Sequence, residues 1–276
     1  GKVIKKMTEI LVENLSAKEQ HNIMEQSKLL FINEWVSGEL ESRHAYFEQN
    51  AKQYGIDMNS GFTMAVFKIL PKEQGDSLDY REIGNVISFI NENLNQKKML
   101  FSSNSNTGFV ISSGTDDTHL LQKLIHLSEK ISTHFPCYII GGVGCTYPEY
   151  RDLPKSYGEA MKVMNYYLGA NPGIYCYDDN IISLMLDEIP QVYKTQCILQ
   201  IFAGCTQKEI IDFSDFIIAY YKNSGSINKI GEQLYIHKNT VQYKINKILT
   251  RTGLDLRIHQ DMLALLLAAH FHKGFH

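Results

Sequence analysis

The side chains best suited to recognising another molecule lie near the C-terminus, between Ser226 and Arg251, in the stretch SINKIGEQLYIHKNTVQYKINKILTR. Lys238, Asn239, Thr240, Gln242, Tyr243, Lys244, Lys247 and Arg251 bring amides, hydroxyls and cations together, and no carboxylate falls between His237 and Arg251. Amide side chains match the donor and acceptor pattern of base edges, and Lys and Arg match phosphate oxygens. The bland alternative is a helix with a solvated basic face, and the placement of charge weighs against it. From Tyr221 to His276 eight Lys and Arg stand against three acids, a surplus of five. The whole chain carries −3, so residues 1–220 carry −8. A basic module on an acidic body is the electrostatic footprint of a nucleic-acid binder.

Two short helices joined by a tight turn must hold these groups in place. Ile227, Ile230 and Leu234 recur at i, i+3 and i+7, one apolar stripe of a helix, with Ser226 as its expected N-cap. Gly231 leaves room for a crossing helix to come close. After Tyr235-Ile236-His237 a second stripe runs through Val241, Ile245, Ile248 and Leu249. Asn239 and Thr240 stand at its start, where short polar side chains cap free N–H groups. Such a helix, apolar within and cationic-polar without, is the second member of a helix-turn-helix and enters the major groove of double-stranded DNA. On this reading Gln242 meets a base edge, and Asn239 and Thr240 donate near the helix N-terminus. Lys238, Lys244, Lys247 and Arg251 bind phosphate. Tyr243 either joins them or is partly core.

The run His237-Lys238-Asn239-Thr240-Val241-Gln242-Tyr243-Lys244-Ile245, then Thr252-Gly253-Leu254-Asp255-Leu256, then the apolar stretch 262–269, resembles the C-terminal helix-turn-helix of the PucR/CdaR family. These are bacterial transcription regulators of purine, sugar-diacid and related catabolism. Lys244 stands where the family pattern usually has Arg, and lysine lacks the bidentate fork of arginine. The corresponding contact is therefore expected to be weaker or confined to phosphate. The resemblance implies a DNA partner, a homodimer, a small-molecule effector, a cytoplasmic location and no catalytic cofactor.

Length bounds the rest. A chain of 276 residues, 44% hydrophobic and 21% charged, fits one large or two to three small domains. No run approaches the ~18 to 20 apolar residues of a membrane span, and the N-terminus has no signal-peptide core. Five widely spaced cysteines without a C-x-x-C fit reduced thiols in a cytosol. Gly1 followed by Lys2 reads as an added remnant, so the natural protein is expected to begin earlier, with a sensor domain ahead of this stretch.

Three divisions are expected: a helical stalk with N-terminal helices at 1–55, an α+β domain at 56–185, and a helical domain at 186–276. Ile4, Met7 and Leu11 form a short heptad-like seam, read equally well as a coiled-coil stalk or an ordinary amphipathic helix. Ser16-Ala17-Lys18-Glu19 reads as a capping box opening a helix to about Val36, with Trp35 as core. From Gly61 the pattern predicts strand 62–70, helix 78–94, a hairpin of 98–102 with 109–112, helix 116–133, strand 137–142, helix 153–168 and strand 174–177. Helices are expected at 178–186, 190–202, from the capping box Thr206-Gln207-Lys208-Glu209 to Tyr221, and at 259–270. Gly204 is the expected C-cap of the second of these.

The order β-α-β-β-α-β is a split βαβ, a ferredoxin-like, nucleotide-cyclase-like arrangement with an antiparallel sheet backed by helices. It resembles the GGDEF-like middle domain of the same family. Active cyclases of that kind carry Gly-Gly-Asp/Glu-Glu-Phe in the central hairpin, where carboxylates hold metal. Here the hairpin is Ser102-Ser103-Asn104-Ser105-Asn106-Thr107-Gly108, with no acid, so no cyclase activity is expected. Gly141-Gly142-Val143-Gly144 lacks both G-K-[ST] and G-x-G-x-x-G spacing and reads as a permissive turn rather than a phosphate loop. His119 and His126 lack a third ligand and predict no metal site. No catalytic motif is found. The alternative kept beside a DNA-binding regulator is a ligand- or nucleotide-binding signalling module with a degenerate cyclase-like domain.

Overall fold

A computed structural model describes residues 19–20, 22–39, 43–73, 76–94, 98–114, 117–169 and 171–273. The heptad-like seam and most of the 16–19 capping box lie outside the described residues. The chain divides into two compact units between Ile181 and Ile182.

The first unit is built on a five-stranded sheet. Its elements run α1 (22–36), α2 (His44–Gln53), β1 (Phe62–Pro71), α3 (Tyr80–Leu94), β2 (Met99–Asn104), β3 (Thr107–Ser113), α4 (Asp117–His134), β4 (Cys137–Val143), α5 (Leu153–Tyr167) and β5 (Gly173–Cys176). Spatially the strands lie in the order β2-β3-β1-β4-β5. The first four pair antiparallel, with Met64 opposite Ile111 and Val66 opposite both Phe109 and Gly142. The expected split βαβ is therefore present. The sheet is not wholly antiparallel, because β5 returns through α5 and pairs parallel with β4, Gly142 opposite Tyr175.

Helices cover both faces of this sheet. Phe62, Met64 and Val66 of β1 point to one core with Phe31, Trp35, Phe47, Ala160 and Met164, which come from α1, α2 and α5. Ala65, Phe67 and Ile69 point the other way, to Val86, Ile90, Leu120 and Leu124 of α3 and α4. Burial on both faces explains why β1 reads as a continuous apolar run rather than an alternation. Trp35 is core as expected, and its indole N–H donates to the Tyr150 carbonyl at 2.6 Å. α3 begins at Tyr80 because Asp79 and Glu82 cap each other reciprocally. The Glu82 N–H reaches Asp79 Oδ1 at 2.7 Å, and the Asp79 N–H reaches Glu82 Oε2 at 2.8 Å.

The glycines in and just after β4 serve packing rather than a turn. None of Gly141, Gly142 and Gly144 has a positive φ. A Cβ on Gly142 would meet the Ala160 carbonyl oxygen at 2.1 Å, and one on Gly144 would meet the Ser156 carbonyl oxygen at 2.1 Å. α5 therefore lies directly on the strand backbone. The hairpin strands extend further than the sequence pattern suggests, leaving only Ser105 and Asn106 as the turn. Where β3 pairs with β1, a Cβ on Gly108 would fall 2.3 Å from the Phe67 ring. That space is filled by an aromatic side chain.

The second unit contains most of α6 (Tyr177–Asp187), then α7 (Gln191–Ile201), α8 (Gln207–Lys222), α9 (Ile227–Leu234), α10 (Lys238–Thr252) and α11 (His259–Lys273). Its core joins Phe213, Phe216 and Ile217 of α8, Ile230 of α9, Val241, Ile245 and Ile248 of α10, and Leu265, Ala268 and Ala269 of α11. The capping box at the start of α8 forms as expected: the Glu209 N–H donates to Thr206 Oγ1 and the Thr206 N–H to Glu209 Oε2. Gly204, in the left-handed region at φ +75°, lies two residues beyond the observed C-cap, Phe202. No described helix is long and apolar enough to cross a membrane.

Candidate nucleic-acid interface

Helix α9 forms on the Ile227, Ile230, Leu234 stripe, with Ile230 fully buried. Ser226 precedes it, yet its hydroxyl makes no cap hydrogen bond. The helix ends abruptly. Tyr235 turns into the left-handed region at φ +54°, and the Ile236 N–H folds back to the Gly231 carbonyl at 2.9 Å. A Cβ on Gly231 would meet the Ile236 carbonyl oxygen at 2.8 Å, so this glycine admits the turn rather than a crossing helix.

His237 is the residue that caps α10. Its backbone is extended, its carbonyl accepts from the Thr240 and Val241 N–H groups, and its Nδ1 accepts from the Asn239 N–H at 3.3 Å. Capping by Asn239 and Thr240 is thus corrected: the helix starts at Lys238, and both residues already stand within its first turn. Val241, Ile245 and Ile248 anchor the helix in the core. Its far end stops at Gly253, φ +75°, whose N–H closes on the Leu249 carbonyl. In the Thr-Gly-Leu-Asp segment, Asp255 holds the Arg257 guanidinium in a fork at 2.7 to 3.1 Å. That pairing, with the Arg257 N–H, keeps the Asp255 carboxyl below its usual range.

The outward side of α10 is uncharged apart from Lys238. Lys238, Asn239 and Thr240 are exposed, Gln242 is half-buried and Tyr243 is 63% exposed. Tyr243 belongs to the surface, which resolves the alternative left open by its spacing. Asn246 continues the same face one turn on, and its Oδ1 accepts from Gln242 Nε2 at 3.4 Å.

The remaining cations take a different position. Lys244, Lys247 and Arg251 recur at i, i+3 and i+7 and face α8. Lys244 pairs with Asp212. Lys247 lies 3.4 Å from Glu209 Oε1, while Arg251 donates to Glu209 Oε2 at 2.9 Å and to the Gly204 carbonyl at 2.6 Å. Lys244 and Lys247 also sit over the Phe216 and Phe213 rings, at 5.8 and 5.6 Å. The Thr206 N–H and Arg251 hold the Glu209 carboxyl down at about 2. Asp212 and Glu209 were invisible to a local reading of the motif, because they lie more than thirty residues upstream. Among the described residues Lys238 forms no ion pair, so it presents an uncompensated charge at the start of the helix.

Elsewhere no group of three or more His, Cys, Asp or Glu able to hold a metal occurs among the described residues. In the first unit Glu159 accepts from the Cys145 N–H at 2.8 Å and the Tyr147 hydroxyl at 2.6 Å. Burial and that carboxylate push the Tyr147 hydroxyl upward, and burial with Asp178 does the same to the Cys145 thiol. Both groups are thereby held protonated, the opposite of an activated nucleophile.

A helix-turn-helix carried behind a GGDEF-like α+β domain defines a transcriptional regulator. The model of the PucR C-terminal helix-turn-helix domain matches residues 215–271, and that of the GGDEF-like domain matches residues 37–166. The chain belongs to the PucR/CdaR family of regulators. It is 22% identical to an uncharacterized protein of Haemophilus influenzae, over 97% of this chain and 71% of that one. It is 27% identical to the proline-responsive transcriptional activator PutR of Bacillus subtilis, over 55% of this chain and 40% of that one. Among solved structures, a regulator of polyketide synthase expression from Bifidobacterium adolescentis aligns over 88% of this chain and 96% of that one, at 11% identity and a TM-score of 0.35.

Proposed function

We propose that the protein binds double-stranded DNA in the cytoplasm, sequence-specifically and as a homodimer, to regulate a catabolic or metabolic operon. The observation that carries this reading is the outward face of α10. It offers the Asn239, Gln242, Tyr243 and Asn246 side chains beside Lys238 and Thr240, on a helix whose opposite side is locked into the core. Amides near the N-terminal end of such a helix read base edges, with Gln242 bidentate to adenine as the natural pairing. Lys238 binds phosphate. Lys244, Lys247 and Arg251 flank the surface and meet phosphate in competition with Asp212 and Glu209.

One recognition helix touches few bases, and two half-sites supply the specificity ratio a genome requires, which supports the dimer. PutR responds to proline, and a small-molecule effector is proposed here by that likeness. The first unit acts in signalling and performs no catalysis. The hairpin between β2 and β3, Ser102 to Gly108, carries no carboxylate to hold a metal, which supports the regulator over a catalytic nucleotide cyclase.

Fluorescence anisotropy of a labelled promoter pool beside random duplex, at several salt concentrations, tests the proposal. A steep negative salt slope with preference for some fragments is the expected result. Weak binding that is equal on every sequence would overturn it.

A further inference from the structure

Tyr235 is placed as a residue would be if it were retained for contact rather than for folding. It adopts φ +54° and ψ 41°, a left-handed conformation that costs an L-residue energy and a glycine none. The second unit uses glycine at φ +75° after α7 and at the end of α10, at Gly204 and Gly253. α9 ends on a tyrosine instead. Burial does not offset the strain, since Tyr235 is 95% exposed. Among the described residues its hydroxyl has no partner. The ring forms one wall of a shallow groove that also carries Asn228, His237 and Lys238, with Glu232 as its single acid.

Tyrosine hydroxyls are common donors to the phosphate backbone, and contacts made by residues beside a recognition helix fix its register on the duplex. We propose that the Tyr235 hydroxyl donates to a DNA backbone phosphate flanking the bases met by α10. This inference rests on the DNA-binding reading above. Because the group is neutral and meets the backbone, its loss weakens binding on every sequence without changing the salt slope. The strain argument adds a second signature. Tyr235→Gly relieves the left-handed tyrosine, so it raises thermal stability while it lowers affinity.

The test titrates labelled promoter fragments and random duplex with the wild-type chain, Tyr235→Phe and Tyr235→Gly, and records thermal unfolding of each. Tyr235→Phe is expected to bind about tenfold more weakly on all duplexes with an unchanged salt slope. Tyr235→Gly should bind at least as weakly and unfold a few degrees higher. Wild-type affinity in both variants would overturn the proposal, as would a loss confined to one base pair or a lower unfolding temperature for Tyr235→Gly. Should the wild-type chain itself show no salt-dependent binding to any duplex, the DNA-binding reading fails and this inference fails with it. Normal wild-type binding with unaltered variants removes the Tyr235 contact alone.

Discussion

Arg251 Nη2 lies 2.9 Å from Glu209 Oε2, joining the last turn of α10 to the first turn of α8. The same carboxylate closes the capping box on Thr206 and lies within ion-pair distance of Lys247. One side chain therefore starts one helix and orients another. Thr206→Ala removes the hydroxyl half of the box. A loss of about 1 kcal/mol in the stability of the second unit is expected from urea unfolding.

Acid should expose the role of Glu209. Its folded-state carboxyl sits at about 2, below the ~4.5 of an unperturbed glutamate, so its contribution is complete above the unfolded value and fades as pH falls from about 4.5 toward 2. Glu209→Gln should flatten the loss of stability across that window. A pH series of thermal unfolding curves identical for the two proteins would contradict it.

A histidine acts in a higher window. Burial in α11, with Lys222 nearby, lowers the His270 side chain below its ordinary value. The unfolded chain then takes up a proton that the folded chain resists, and stability falls as pH drops below about 6.5. His270→Gln should remove that step, as measured by urea midpoints at pH 7.5 and 5.5.

The cations on α10 should separate by salt dependence. Lys238→Ala is expected to flatten the slope of log affinity against log salt by about one unit. Lys247→Ala should flatten it by less, since Glu209 already shares that charge. Asp212→Asn frees Lys244 and removes a repelling carboxylate, so it should steepen the slope and tighten binding to random DNA. Gln242→Ala should instead relax preference at one base pair, read from competition among single-site operator variants.

Two glycines make a paired test in the first unit. Gly142→Ala drives a methyl into the backbone of α5 and should cost about 3 kcal/mol, since backbone cannot step aside as a side chain does. Gly158→Ala, in α5 with open space at its Cβ, should stabilise by about 0.5 to 1 kcal/mol. Chemical denaturation of both variants gives opposite shifts if close packing is the reason for Gly142.

Local chemistry wrote much of this protein into its sequence. The stripe of Val241, Ile245 and Ile248, the Thr206-x-x-Glu209 box and the strand–helix order of the first unit each depend on residues a few positions apart. Periodicity and capping reveal such features directly. What needed the tertiary structure was every relation across long separations. Phe67 over Gly108, α5 against Gly142 and Gly144, and the parallel return of β5 arise from packing that no local spacing encodes. The charged side of α10 shows the difference most plainly. Taken from its own stretch alone, the row of Lys244, Lys247 and Arg251 reads as free cations, because a single stretch records which charges it holds and not which distant carboxylates fold against them. Packing α8 beside α10 brings Asp212 and Glu209 to that row, and leaves Lys238 with the amides and Tyr243 facing outward.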